Sequence, residues 1–378
     1  MAKTNFAALT DEQKTIWSMD LWKHARNESF INKFLGKGPN SIIQHITELK
    51  KTEKGARAVI TLLSDLEGDG IAGDRTLEGN EEAMKTFDQV IQIDQLRHAN
   101  RSKGKMADQR SIVEFRGNSR DVLAYWLADR LDQMAFLTLG GIQYGFKTNG
   151  ATRVGSQLAD LEFADDVTAP SLNRRGVWSK TLGLQIGGAG FTSADVDDVA
   201  AANSTPTWDL FLELKRHAKD TFMRGVKSGG DETYHAFLCP MAMQRLKQDS
   251  TYREVLKHAQ TRGGENELFT GNSVKIDGIM LHEFRHVPNT GTTASYGGPN
   301  ATAGSQIIFC GAQALGMADI GAPEWIERDF DFGNQQGIAT KKILGFLKPQ
   351  FENQYVDSGV PEDFGAINVY VSHKAHVV

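Results

Sequence analysis

Residues 64–116 form a long charged stretch with few apolar side chains, too few to belong to a buried core. Apolar and polar residues alternate over residues 87–96, a pattern typical of a half-buried strand. Residues 100–110 read as a polar turn and residues 111–115 as a returning strand, so the pattern predicts a long β-hairpin. A two-stranded ribbon is marginally stable in water, and its open edges pair readily with other strands. Because no other segment of the chain is an obvious partner, we expect the hairpin to lie on a neighbouring subunit.

The same region divides into two blocks of opposite charge. Residues 61–94 hold nine acidic and two basic residues, whereas residues 95–116 hold six basic and two acidic residues. Adjacent blocks of this size are either solvated faces or surfaces that fit each other. The second alternative predicts a subunit interface. Its candidate residues are Asp65, Glu67, Asp69, Asp74, Arg97, Arg101, Lys103, Lys105 and Arg110.

Two amphipathic helices are the clearest regular elements. The first is predicted over residues 119–139, with Asn118 and Ser119 at its start and two glycines at its end. At 1.5 Å per residue, its roughly 20 residues span about 30 Å. The second starts at Thr205 and Pro206, which are residue types preferred at the N-cap and the first helical position. Its apolar row consists of Leu210, Leu214, Ala218 and Phe222.

The remaining regular elements are strands and short helices. Strands are predicted over residues 58–63, 234–239, 274–281 (two strands and a turn), 305–310, 338–347 and 364–372. Short helices are predicted over residues 10–26, 240–247, 251–260 and 312–317. Residues 289–305 form a low-complexity loop, and a loop of this length is usually functional or disordered.

Composition excludes several classes of protein. With 378 residues, 40% of them hydrophobic, the chain has enough apolar side chains to fold. It contains no apolar run long enough to span a membrane, and its start lacks the apolar segment of a secretory signal. A net charge of −5 argues against binding nucleic acid through a basic face. Two distant cysteines, Cys239 and Cys310, predict buried thiols in a reducing compartment.

One short motif has the sequence pattern of a metal site. His282-Glu283-Phe284-Arg285-His286 fits the H-E-x-x-H pattern of zinc peptidases, in which a helix places both imidazoles on one metal. Gly278 and Pro288 leave too little room for that helix, so we expect a strand. On a strand the two histidines are about 13 Å apart, too far to share a metal. A zinc-dependent hydrolase that uses His282 and His286 stays open as an alternative from another functional class.

Two further motifs are weak. Residues 65–70 resemble the start of an EF-hand loop, but the twelfth position is Thr76, where a bidentate Glu belongs. Residues 187–190 are glycine-rich but lack the strand and helix of a dinucleotide-binding motif. We predict no catalytic residues, no cofactor and no metal.

The order of these elements resembles that of the major capsid proteins of tailed bacteriophages, which have the α+β Hong Kong 97-type fold. More specifically, the chain is similar to the capsid family of the N-four-like podoviruses. The resemblance spans nearly the whole chain. The segments that carry it are Trp17-Ser18-Met19-Asp20-Leu21-Trp22, Ile93-Asp94-Gln95-Leu96-Arg97-His98, Phe237-Leu238-Cys239-Pro240, Leu246-Lys247 and Ile276-Asp277-Gly278-Ile279.

The resemblance implies a division of the chain into segments. Residues 1–60 would be the N-terminal arm and residues 61–116 the extended hairpin loop. Residues 117–204 would be the peripheral domain with its spine helix over 119–139, residues 205–325 the axial domain, and residues 326–378 the returning strands of the peripheral domain.

The resemblance also implies function and partners. Subunits would join head to tail into hexamers and pentamers and enclose double-stranded DNA without reading its sequence. The shell would assemble in the bacterial cytoplasm and become part of the virion, with portal, scaffolding and decoration proteins as candidate partners and no membrane. An encapsulin-type compartment with an enzyme cargo has the same fold, and no sequence feature separates the two. A tail or tube protein is a third alternative.

Overall fold

The structure is a computed structural model. It describes residues 19–25, 29–46, 57–63, 70–82, 86–110, 115–187, 204–228, 230–258, 274–289, 304–353 and 357–372. The helices are α1 (19–25), α2 (Lys105–Arg110), α3 (Phe115–Gly140), α4 (Trp208–Asp220), α5 (Pro240–Gln248) and α6 (Ser250–His258). The strands are β1 (Leu35–Gly36), β2 (Ile43–Ile46), β3 (Arg57–Leu63), β4 (Thr86–Gln92), β5 (Asp94–Arg101), β6 (Arg175–Ser179), β7 (Gly183–Ile186), β8 (Val226–Ser228), β9 (Asp231–Leu238), β10 (Val274–Ile276), β11 (Ile279–Glu283), β12 (Gly304–Cys310), β13 (Leu315–Asp319), β14 (Glu324–Phe330), β15 (Gln335–Leu347), β16 (Gln350–Asn353), β17 (Asp357–Asp363) and β18 (Ala366–Ser372).

Within the described ranges the strands form two large sheets and two hairpins. The first sheet has six strands in the order β1-β2-β13-β15-β14, and β5 also pairs with β15. The second has eight strands in the order β10-β11-β9-β12-β18-β6-β7, and β8 also pairs with β9. The hairpins are β3–β4 and β16–β17. Six consecutive residues are buried in both β9 and β12, so the second sheet is covered on both faces there.

Helix α3 confirms the predicted long helix and joins the two sheets. It begins at Phe115, a few residues before the predicted start, and its 26 residues span about 39 Å. The helix contacts β5 and β15 of the first sheet and β12 of the second. Its buried residues, among them Leu127, Leu131 and Phe136, belong to one apolar core shared with both sheets. No helix in the described ranges is long and apolar enough to cross a membrane.

The N-terminal segment is attached to α3 by a buried carboxylate. Oδ1 of Asp132 accepts hydrogen bonds from the Ser29 hydroxyl at 2.7 Å and the Ile31 amide at 3.1 Å. Oδ2 accepts one from the Phe30 amide at 2.9 Å. On α1, Leu21 and Ala25 are buried in the same core. The segment before β1 is therefore part of the folded subunit.

We predict that Asp132→Ala lowers the free energy of unfolding by about 2–3 kcal/mol, because it leaves buried donors without an acceptor. Limited proteolysis should also cut near residues 29–36 earlier than in the wild type. Asp121→Ala is the matched control on the same helix, since the Asp121 side chain is 41% exposed and bonds Arg120 instead of buried amides. Equal denaturation midpoints for the two variants would contradict the prediction.

The predicted hairpin exists in a different form. β4 pairs with β3 and not with a later strand. Residues 111–115 were predicted as the returning strand, but Phe115 begins helix α3. Residues 111–114 lie outside the described residues. β5 pairs antiparallel with β15 of its own chain. The expectation that this stretch has no partner in its own chain was wrong, because its partner lies some 240 residues further along the sequence.

The β3–β4 hairpin is also supported at its base. Its buried side chains form a small apolar cluster with the ends of β2, β13 and β15: Ile46, Ala58, Ile60, Ile91, Ala318 and Leu347. A Cβ atom on Gly316 or Gly345 would collide with this hairpin, so these two glycines allow the close approach. Residues 58–63 were predicted as a buried strand; among the described side chains of β3, Ala58 and Ile60 are buried, whereas Val59 is exposed opposite Val90.

The prediction for the second amphipathic helix was right in position and wrong at its ends. α4 begins at Trp208, whose amide donates to the Asp249 carboxylate at 3.1 Å, so Thr205 and Pro206 precede it. Phe222 lies beyond the helix with φ of 54° and is exposed, so it does not belong to the buried row.

Among the other elements, the helix predicted over residues 312–317 was wrong. Residues 315–319 are strand β13, because they pair with β2 on one side and β15 on the other. The strands predicted over residues 234–239, 305–310, 338–347 and 364–372 and the helix over 240–247 are present. The described part of the predicted helix over 10–26 is α1, and the loop over 289–305 lies almost entirely outside the described residues.

Strand pairing does not follow the predicted segment boundaries. β13, in the segment predicted to be axial, pairs with β15, in the segment predicted to be peripheral. Likewise, β18 of the segment predicted to be peripheral pairs with β12 of the segment predicted to be axial. The sheets therefore cross the boundary at residues 325–326, and the names of the segments remain predictions.

Candidate subunit interface

One end of the first sheet is a tip built from two separate parts of the chain. β5 continues into α2 beside the turn between β14 and β15, and we call residues 101–110 and 328–334 the basic tip. The amide of Ser102 donates to the carbonyl of Gln336 at 2.8 Å, and the amide of Lys105 donates to that of Asn334 at 3.1 Å. The Arg101 guanidinium lies 4.3 Å from the centre of the Phe330 ring. These contacts hold α2 and the turn together.

The tip carries a net charge of +2, because its five basic residues outnumber the three exposed acidic residues Asp108, Asp329 and Asp331. The side chains of Lys103, Lys105 and Arg110 are exposed, as are those of Arg97 and Arg101 on β5. The structure therefore brings the five predicted basic interface residues to one region. The prediction missed the contribution of the β14–β15 turn, because nothing in the local sequence signals that the turn lies beside α2.

Of the predicted acidic residues, the structure describes Asp74, which lies between β3 and β4. Residues 70–82, which we call the acidic loop, are exposed except for partly buried Ile71. Asp74 is in this loop, together with three glutamates and the exposed side chain of Leu77. Asp65, Glu67 and Asp69 lie outside the described residues.

The hairpin that carries the acidic loop leads away from the basic tip. The carbonyl of Gln92, at the base of the hairpin, approaches Gly345 of β15. Further toward the loop, Gln89 bonds Gln350 and then Phe87 packs on Phe351. The tip lies in the other direction, at the start of β15, about 33 Å from Gly345 along an extended strand. The two charged surfaces thus lie toward opposite ends of the subunit.

The histidines of the H-E-x-x-H motif do not form a metal site. Nε2 of His282 lies 2.9 Å from Nδ1 of His235 on the neighbouring strand β9, and the two rings are stacked. His286 lies beyond the end of β11 and its Nε2 is 2.6 Å from the Asp129 carboxylate of α3. That hydrogen bond lowers the pKa of Asp129. In the described part of the chain no three His, Cys, Asp or Glu side chains are grouped to hold a metal ion.

Both cysteines are free and buried, as predicted. Burial raises the pKa of the Cys310 thiol, which makes it a poor nucleophile at neutral pH.

Comparison of the sequence with known proteins gives two matches that agree with each other. The model of a family described as phage capsid protein matches residues 5–375. The major capsid protein of Pseudomonas phage KPP25 is 55% identical over 373 residues, which cover 98% of this chain and 97% of that protein.

Solved structures show the same similarity at the level of fold. The capsid of Ralstonia phage GP4 aligns with a TM-score of 0.75 at 21% identity and covers 100% of this chain and 96% of that one. The capsid of cyanophage Pam1 aligns with a TM-score of 0.67 at 15% identity and covers 99% and 96%.

Proposed function

Because the chain belongs to the phage capsid protein family and is a major capsid protein, we propose that its subunits join head to tail, the acidic loop of one copy contacting the basic tip of the next. The chain has the Hong Kong 97-type fold and is a structural protein of the virion shell, not an enzyme. The similarity to a phage capsid protein favours this function over an encapsulin-type compartment and over a zinc hydrolase. The narrower assignment to N-four-like podoviruses stays a prediction.

The observation that carries the proposal is the placement of two complementary surfaces toward opposite ends of one subunit. A surface that meets a different surface on an identical neighbour makes a heterologous contact, and such contacts close into rings when the rotation permits. Within residues 70–82 there are four acidic residues and one basic residue, and the exposed basic side chains of the tip complement them.

The charged part of this contact consists of several weak ion pairs. An exposed ion pair contributes only about 0–1 kcal/mol. A set of pairs repeated at every subunit contact sets the register and excludes wrong partners. We infer that the resulting rings are hexamers and pentamers of a shell that encloses double-stranded DNA and assembles in the bacterial cytoplasm with portal, scaffolding and decoration proteins. The mild negative charge of the chain suits a container from which the genome must leave.

We expect that the triple reversal Lys103→Glu, Lys105→Glu and Arg110→Glu leaves a folded subunit that does not form shells. Arg101 is left unchanged because its guanidinium packs on Phe330 and supports the tip. The readouts are circular dichroism for the fold, and sedimentation with electron microscopy for shells, under conditions in which the wild type assembles.

A charge swap provides the matched control. Asp74→Lys with Glu78→Lys should also block assembly, because it places lysines opposite the basic tip. Combining this pair with the triple reversal restores opposite charges and should restore shells. Normal shells from the triple reversal, or no rescue by the combination, would refute the contact between loop and tip.

A further inference from the structure

The turn at the basic tip displays an aromatic ring in a strained conformation. Asp331 and Phe332 both have φ of 51°, and Gly333 follows with φ of 85°. A left-handed backbone is unfavourable for a residue with a side chain, and most of all for a bulky one. The Phe332 side chain is fully exposed at 112% of its reference area. The exposed ring therefore adds no buried apolar area to the single subunit.

Neighbouring residues hold the turn in place. The Asn334 amide donates to the Asp331 carbonyl at 2.9 Å, and the Asn334 side chain donates to the Asp331 carboxylate at 3.2 Å. Asn334 in turn accepts two hydrogen bonds from the Lys105 amide at the start of α2. Strain that is maintained by a surrounding network is characteristic of functional positions.

The acidic loop also has an exposed apolar side chain. Leu77 is 61% exposed and lies between the acidic residues Asp74 and Glu78. On the tip, Met106 is exposed on α2 near Lys103 and Lys105, and the turn that carries Asp331 and Phe332 is bonded to α2 through Asn334. Each surface therefore has exposed apolar side chains among charged ones. The net charge is −3 for the loop, with four acidic residues and one basic residue, and +2 for the tip, with five basic and three acidic residues. Interfaces commonly have this arrangement of an apolar anchor inside a charged rim.

We propose that Phe332 is the apolar anchor of the subunit contact and that Leu77 in the acidic loop of a second copy covers it. This inference rests on the proposed function and adds the residue pair at its centre. It assigns the exposed ring a partner, and it explains why a phenylalanine occupies a backbone position that glycine would fill without strain.

The first test is a disulfide between subunits. Leu77→Cys and Phe332→Cys chains are assembled together as a minority among wild-type subunits, so that shells form, and are then oxidised. A disulfide needs Cα atoms within about 7 Å, so a linked dimer on a non-reducing gel would demonstrate the contact. Both native cysteines are buried and give little background. Shells made with either variant alone are the control, and no linked dimer above that control would overturn the proposal.

The second test separates the fold from assembly. Phe332→Gly removes the ring and relieves the backbone strain, so the melting temperature of the subunit should rise by about 1–3 °C. The subunit concentration needed for shells should rise about tenfold or more, as for the loss of a hot-spot residue. Phe332→Tyr keeps the ring and should assemble like the wild type. Normal assembly of Phe332→Gly would overturn the proposal.

The two levels of the proposal can fail separately. If charge reversal blocks assembly and the charge swap restores it, but no disulfide forms, then the loop meets the tip without the Leu77–Phe332 pair. If the charge swap gives no rescue and no disulfide forms, then the loop and the tip do not meet.

Discussion

Replacing Lys348 with Met should lower the free energy of unfolding by about 3–5 kcal/mol, because it leaves a buried carboxylate without its counter-ion. The side chains of Lys348 and Asp363 are 1% and 0% exposed, and Nζ lies 2.8 Å from Oδ2. The Asp363 carboxylate also accepts hydrogen bonds from the Gln350 side chain at 2.7 Å and the Ser171 amide at 3.2 Å. This carboxylate therefore joins the β15–β16 connection to the segment before β6. Equilibrium denaturation of the dissociated subunit measures the effect.

Two variants test the stated cause. Lys348→Met combined with Asp363→Asn removes both charges, so it should be more stable than Lys348→Met alone. Arg216→Met breaks an exposed pair with Asp220 and should change stability by about 0–1 kcal/mol. If Lys348→Met were as mild as Arg216→Met, the buried pair would not stabilise the subunit.

Acid should destabilise the subunit through the stacked pair of His235 and His282. Burial lowers the pKa of both imidazoles to about 4, and for His282 the neighbouring His235 and then Lys33 also lower it. The unfolded chain binds these protons near pH 6.5, so stability is complete above that pH and is lost as the pH falls toward 4. The loss is about 3 kcal/mol for each imidazole across this window.

The consequence reaches the N-terminal segment. The rings of Phe30 and Phe34 pack against His282, with centroids 6.4 and 4.9 Å away. A proton on this pair would place a charge inside an aromatic cluster that also includes Phe237 and Phe136. We therefore expect residues 29–36 to become sensitive to protease at pH values where the rest of the subunit is still folded.

Denaturation midpoints between pH 7 and 4 provide the measurement. The double variant His235→Phe and His282→Phe keeps two stacked aromatic rings and removes both titrating groups, so its stability should fall much less with pH. His24→Asn, at a half-exposed histidine, is the matched control and should keep the wild-type pH dependence. The same pH dependence in the double variant as in the wild type would assign the acid effect to other groups.

Local sequence patterns predicted the helices and strands in which buried residues recur at a regular spacing. Leu127 and Leu131 on α3, and Leu210 and Leu214 on α4, recur at helical spacing because one face of each helix meets the core. The consecutive apolar residues of β9 and β12 mark strands covered on both faces. The start of α4 was predicted too early, because the amide of Trp208 is capped by Asp249, some 40 residues away in sequence.

For the candidate interface, the structure bears only on which of the predicted residues are exposed. The charge blocks placed the basic residues Lys103, Lys105 and Arg110 and the acidic residue Asp74 on the surface, where the structure has them. Phe332 was missed, because neither its exposure nor its left-handed backbone leaves a mark in the local sequence. The sequence of residues 282–286 matches a zinc-binding motif, but His282 lies on strand β11 and not on a helix. The predicted strand therefore argued correctly against a metal ion bound by both His282 and His286.

Hydrophobic and charge patterns along the sequence therefore determined most of the helices and strands and where the charge lies, and the order of these elements together with a few short segments carried the resemblance to phage capsid proteins. Only the tertiary structure decided that β5 pairs with β15, that α2 lies beside the β14–β15 turn, and that His282 faces His235. The reason is physical: burial imposes a repeat on neighbouring residues. The pairing of segments far apart in sequence depends instead on the path of the whole chain.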